Sequence, residues 1–323
     1  MRTFNYENVK NPEYFCDGRA EAHSDHAYYA SEADRETGCS LFQESLNGIW
    51  KFHYAKNYDA VVPGFEKDEY CCASWDDIRV PAHIQMEGYD APQYANTQYP
   101  WEGREDIRPG EIPEHFNPVA SYVKYFRVPE RMKGKRLFIS FQGAESGMAV
   151  WVNGTFVGYS EDTFTPSDFE LTDYVREGEN KLAVQVFKWT SGSWCEDQDF
   201  YRFSGLYRDV YLYTVPEVHI RDLRIRAVPD ETLEKAELEI CTRTWGSGKA
   251  KFVLSYHGEV CFEEEKELNG ENVFTWEIDH PALWSAEKPN LYDLSITVTD
   301  ASGTLMEIIP EKVGFRRFEM KDR

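Results

Sequence analysis

Apolar and polar positions alternate with period two over short stretches of this chain. None sustains the 3.6-residue repeat of a long amphipathic helix. Segments 121–128 and 135–141 read as strands. Ala149-Val-Trp-Val152 and Thr155-Phe-Val-Gly-Tyr159 flank Asn153-Gly154, the pair that a two-residue type I′ turn favours because both central residues take positive φ. A β-hairpin over 149–159 follows. Further strands are predicted at 46–54 and, after a Gly178-Glu-Asn turn, at 180–189. With eight or so strands up to about residue 214, a jelly-roll sandwich is the economical arrangement.

Val215-Pro216 breaks the last of these strands, and a second series begins at 218–228, 235–243, 250–257, 259–268, 272–278, 291–299 and 304–309. Seven strands in about a hundred residues predict an immunoglobulin-like sandwich. The expected fold class is therefore all-β. Its expected parts are an irregular arm (1–40), a jelly-roll domain (41–216), an immunoglobulin-like sandwich (217–312) and a charged strand-like end (313–323). The arm is polar and aromatic with little apolar periodicity, so it should pack on the first domain or on a partner.

Length and charge narrow the function. The 323 residues call for about two domains. Lys plus Arg is 35 against 57 for Asp plus Glu, a net charge of −22, which argues against nucleic acid and anionic membranes and for neutral ligands or cations. No window has the apolar length of a membrane span, and the start has no signal-peptide core, so a cytoplasmic protein is expected. The seven cysteines are scattered without a Cys-x-x-Cys pair and suggest neither a disulfide framework nor a zinc ribbon. His23-Ser-Asp-His26 has near-metal spacing but lacks a further ligand set. Cys195 lies among acids that would raise a thiol pKa, so it is no candidate nucleophile.

Two loops carry candidate chemistry. In 189–210 a Val/Phe/Trp-rich strand gives way to Gly and Ser, then to Glu196-Asp197-Gln198-Asp199, then to Phe200-Tyr-Arg-Phe203. Carboxylates beside aromatic rings are what sugar recognition needs, as acceptors for hydroxyls and apolar faces for the C–H side of a pyranose, but a solvated surface turn has the same composition. Glu196, Asp197 and Asp199 share one short loop with no second acidic loop placed opposite, which disfavours them as a self-contained hydrolytic pair. In 86–103, Asn96 offers an amide that both donates to and accepts from hydroxyls, or one that merely holds its own turn. No Gly-x-Ser-x-Gly elbow, phosphate-cradling Gly-rich loop or His-Glu-x-x-His is present.

A longer set of motifs is more specific. Leu46-Asn-Gly-Ile-Trp50, Gly88-Tyr-Asp-Ala-Pro92-x-Tyr94-x-Asn96-x-x-Tyr99-Pro100, Asn117-Pro118, Trp151-Val-Asn153-Gly154, Pro166-Ser167-x-Phe169, Gly178-Glu179-Asn180 and Glu196-Asp197-Gln198-Asp199-x-x-Arg202-x-Ser204-Gly205-x-x-Arg208-Asp209 occur in order. The chain thereby resembles the large bacterial β-galactosidases of glycoside hydrolase family 2, from about residue 40 to Val313-Gly-Phe-Arg-Arg317, which is similar to the family's passage into its catalytic barrel.

The resemblance implies a jelly-roll sugar-binding domain and an immunoglobulin-like domain, followed in the full-length enzyme by a (β/α)₈ barrel with the catalytic glutamates of a retaining mechanism. It implies no catalytic residue in this chain, which is expected to be inactive alone. Asn96 matches the family residue that reaches into the galactose site, and Asp199 the one that contacts a galactose hydroxyl and ligates sodium. Magnesium ligands are implied outside this chain. The implied partners are β-galactosides such as lactose, the chain's own C-terminal barrel, and further copies in a homo-oligomer. Arg202, Arg208 and Asp209 are expected to brace the acidic loop, and Trp194 and Phe200 either to line the acceptor side or, as aromatics in such loops more often do, to pack underneath. A free-standing carbohydrate-binding module, or a family 2 β-glucuronidase or β-mannosidase fragment, are the alternatives.

Overall fold

The computed structural model describes residues 2–196 and 199–320. The chain forms two compact units, one of Met1–Ala20 with Gln43–Thr214 and one of Glu21–Phe42 with Val215–Arg323. The first forty residues are thus shared between them. Among the described residues no helix is long and apolar enough to cross a membrane.

The first unit is the expected sandwich, built on a seven-stranded and a four-stranded sheet. Asn180–Phe187 lies at the centre of the larger sheet, antiparallel to Val119–Phe126 on one side and Gly147–Val152 on the other. All eight of its residues are buried because both faces are covered. Leu182, Val184 and Val186 point into a core shared with Ile139, Phe141, Phe169 and Leu212 of the smaller sheet. Ala183 and Phe187 meet a second core with Phe65, Trp75 and Trp151. Phe4 covers this outer face, its ring 5.6 Å from Phe187 and 5.5 Å from Trp151, and Cys16–Asp17 extends the sheet beside Ser160 and Tyr159.

The Asn153-Gly154 turn is as expected, with φ of 50° and 79° and Val152 opposite Thr155. Its asparagine does more than bend. Nδ2 donates to Asn180 Oδ1 (2.8 Å) and the Tyr174 carbonyl (3.0 Å), and Oδ1 accepts from the Lys181 N–H (3.0 Å).

The immunoglobulin-like second unit has five strands, His219–Pro229, Lys235–Tyr256, Glu259–Asp279, Tyr292–Asp300 and Leu305–Val313, joined in one continuous bent sheet, rather than the seven expected. The segments expected at 235–243 and 250–257 are one strand that bends through a register shift between Arg243 and Ser247. Gly246 takes φ of 74° there, and a Cβ at Gly248 would stand 2.1 Å from the Thr299 carbonyl oxygen, so glycine makes the bend possible. The segments at 259–268 and 272–278 merge likewise through Gly270, φ 61°. Residues 21–42 belong to this unit: Tyr29 and Ile308 exchange backbone hydrogen bonds of 2.9 and 2.8 Å, and the Ser24 N–H donates to Asp222 Oδ1 at 2.7 Å. All seven cysteines are free.

Candidate functional site

Within the first unit the two loops meet as a short antiparallel ribbon. Gln93–Ala95 pairs with Phe200–Arg202 in the register Ala95 to Phe200, Tyr94 to Tyr201 and Gln93 to Arg202. Asn96 and Asp199 are the next residues beyond the Ala95–Phe200 pair, so both loops deliver their polar candidate to one end of the ribbon. Both side chains are exposed. Asn96 Oδ1 accepts the Thr97 N–H at 2.7 Å, which leaves its amide N–H groups as donors. Asp199 Oδ1 accepts the Tyr94 hydroxyl at 2.8 Å, and that bond raises the tyrosine's pKa. Asp199 takes φ of 52°, a conformation that Asp tolerates better than most residues but that costs free energy and concentrates at functional positions.

The ribbon rests on a buried polar foundation. Gln85 accepts the Ser204 N–H (2.9 Å) and donates Nε2 to Ser204 Oγ (2.9 Å) and Asp90 Oδ2 (3.0 Å). Lys188 Nζ completes the set at 2.5 Å from Asp90 Oδ2. The polar groups of each loop thereby satisfy those of the other, as burial requires. Arg202 is buried with its guanidinium 5.6 Å from the Phe200 ring centroid. Arg208 donates to the Phe164 carbonyl (2.8 Å), and Asp209 accepts from Asn47 Nδ2 (2.9 Å), so both tie the loop to its neighbours.

Four exposed rings surround this end of the structure: Tyr94, Phe164, Phe200 and Tyr201, each 42–60% exposed. Tyr94 and Tyr201 lie 5.0 Å apart, and Phe164 and Phe200 5.7 Å apart edge to face. Phe200 is exposed, as a lining role requires. Trp194 instead turns inward: its Nε1 donates to the Glu111 carbonyl at 2.7 Å, and its ring packs 4.6 Å from Tyr99 and 5.0 Å from the buried Trp101. The indole N–H finds its partner there, so the ring supports the loop from below. Tyr94, Phe164 and Tyr201 were not singled out by sequence. For Tyr94 the available signal was its place two residues before Asn96, on the same side of a short strand.

The acids of the loop separate. Glu196 Oε2 accepts the Thr163 hydroxyl at 2.9 Å, and burial pushes its carboxyl up from the ordinary range. Asp197 lies outside the described residues. Among the described residues no three His, Cys, Asp or Glu side chains gather as a metal site. His23 and His26 face Ser24 instead, through its carbonyl at 2.9 Å and its hydroxyl at 2.8 Å.

Residues 43–216 match the family model described as the sugar binding domain of glycosyl hydrolases family 2, and residues 218–316 match a second model of that family. The chain belongs to glycosyl hydrolase family 2. Among its family 2 relatives, the β-galactosidase of Halalkalibacterium halodurans is 48% identical over 320 residues, covering 97% of this chain and 32% of the relative. That of Streptococcus thermophilus is 44% identical, covering 98% and 31%. The β-galactosidase large subunit of Leuconostoc lactis is 40% identical, covering 98% and 53%. The family 2 chain thus spans about a third of the first two relatives and about half of the third. A β-glycosidase structure from Bacteroides vulgatus superimposes with a TM-score of 0.66 at 25% identity, over 86% of this chain and 34% of that one. The β-glucuronidase 2 of Bacteroides uniformis, at 22% identity and TM-score 0.68, shares the fold.

Proposed function

We propose that this chain is the sugar-binding part of a retaining β-galactosidase, and that Asn96 and Asp199 complete a galactoside site whose catalytic glutamates lie in a barrel outside residues 1–323. The observation that carries this reading is the ribbon register, which sets Asn96 and Asp199 side by side although 103 positions separate them in sequence. The 40–48% identity to β-galactosidases supports the substrate class.

The chemistry is division of labour. The Asn96 amide donates to a hydroxyl of the sugar, and Asp199 Oδ2, which has no partner among the described residues, accepts from one. Hydrogen bonds of this kind lower the barrier to the extent that they tighten as the glycosidic bond breaks. The exposed rings of Tyr94, Phe200 and Tyr201 offer apolar faces to the C–H side of the galactoside or its aglycone.

A carboxylate oxygen is a hard donor and suits sodium, so Asp199 is the residue of this chain that would hold it, together with oxygens from outside the described residues. Bound sodium would supply positive charge that orients sugar hydroxyls. No magnesium ligand is assigned here.

The test is hydrolysis of a chromogenic β-galactoside by the purified chain, alone and mixed with the separately produced downstream portion of the same gene product. The reading expects no turnover from either piece and turnover on mixing. Turnover by the chain alone would refute the external barrel. Tight glycan binding with no turnover in any mixture would favour a carbohydrate-binding module.

A further inference from the structure

The ribbon places Tyr94 directly across from Tyr201, one pair inside its Asp199 end. From there the Tyr94 hydroxyl donates to Asp199 Oδ1 at 2.8 Å while its ring lies 5.0 Å from that of Tyr201. Asp199 needs such a restraint. Its backbone sits at φ of 52°, its side chain is exposed, and no other hydrogen bond to its carboxylate is made among the described residues. A carboxylate free to rotate about its two side-chain torsions would present either oxygen to solvent in several orientations. With Oδ1 held by the Tyr94 hydroxyl, rotation of the carboxylate is restricted, and Oδ2 is left as the acceptor at the end of the ribbon where Asn96 also lies.

We infer that Tyr94 is a positioning residue for galactoside recognition, orienting the Asp199 carboxylate so that Oδ2 meets a sugar hydroxyl. The inference rests on the reading of Asp199 as a galactoside contact. Tyr94 acts through Asp199, because its own hydroxyl proton is already committed to Oδ1. The ring can still contribute apolar area, and Tyr94→Phe separates the two contributions by keeping the ring and removing only the hydroxyl.

The experiment is a double-mutant cycle in the full-length gene product with Tyr94→Phe, Asp199→Asn and the pair. Its readouts are kcat/KM for an aryl β-galactoside, the inhibition constant of free galactose, and the melting temperature. Asp199→Asn should lower kcat/KM by at least about 100-fold, as loss of a charged contact made in the transition state does. Tyr94→Phe should lower it about 3- to 10-fold and weaken galactose inhibition in step, the range of one ordinary net hydrogen bond, since solvent access weakens the charge-assisted one. The melting temperature should not move. In the Asp199→Asn background Tyr94→Phe should have much less effect, which a general structural role would not produce.

If Asp199→Asn is harmless, the galactoside reading itself fails. If Asp199→Asn is damaging while Tyr94→Phe is silent, or the two losses simply multiply, the positioning role of Tyr94 is refuted and the reading of Asp199 stands.

Discussion

The side-chain amide of Asn117 holds both backbone groups of Trp189: Nδ2 donates to the Trp189 carbonyl at 2.8 Å, and Oδ1 accepts the Trp189 N–H at 3.0 Å. Trp189 stands two residues beyond the end of the central strand, where the ladder stops and the acidic loop begins. The asparagine imitates one more strand pair. Asn117 is fully buried, so Asn117→Ala strands two backbone groups and should cost about 2–4 kcal/mol. Urea unfolding checks this. A loss under about 1 kcal/mol would mean that the clasp is dispensable.

Lys188 and Asp90 form an ion pair with side chains only 2% and 7% exposed. Removing one partner leaves a buried charge behind. Lys188→Met should therefore destabilise the first unit by about 3–5 kcal/mol. The double variant Lys188→Met, Asp90→Asn should lose clearly less than the sum of the two single losses. Additive losses in denaturant titrations would show that the pair is not coupled.

The hairpin separates two uses of a turn residue. A Cβ at Gly154 would meet nothing closer than 3.6 Å, so Gly154→Ala costs only its φ of 79°, about 1–2 kcal/mol. Asn153→Ala removes three side-chain hydrogen bonds and should cost more, about 2–4 kcal/mol. Melting curves that rank the two the other way would contradict the bridging role of Asn153.

Much of this was legible beforehand. Asn153-Gly154 specified its own turn, and period-two alternation placed most strands, because both signals are local. The motifs of the two loops point to Asn96 and Asp199 one at a time, and only the Ala95–Phe200 register places the two side by side. Sequence leaves Trp194 between lining the site and packing underneath because it does not reveal whether an indole N–H has a partner, and here the Glu111 carbonyl supplies one. Residues 21–42 read as irregular because their bonds are non-local: the Leu223 N–H donates to Ser24 Oγ across 199 positions. The bends at Gly246 and Gly270 looked like strand ends because glycine marks both.

His26 should make the second unit acid-sensitive. Its Nδ1 lies 2.8 Å from Ser24 Oγ, which also accepts the Leu223 N–H. Nε2 is sealed from solvent. Burial first, then His219, His23 and Arg221, pull the imidazole down to about 3, and Asp222 opposes them. The folded value lies below the ordinary one of about 6.5, so the unfolded chain binds the extra proton. The neutral ring costs nothing above that pH. Below it, stability falls by up to about 1.4 kcal/mol per pH unit, down to the folded value. Urea unfolding at pH 7 and pH 5 should show a smaller loss for His26→Gln than for the parent chain. Equal losses would exclude His26 as the cause.

The most direct measurement is a crystal structure of the full-length gene product with galactose bound. The ribbon site requires the Asn96 amide and Asp199 Oδ2 within hydrogen-bond distance of the sugar or of a cation that the sugar shares. Galactose held entirely by other residues, with the end of the Ala95–Phe200 ribbon turned to solvent, would contradict it.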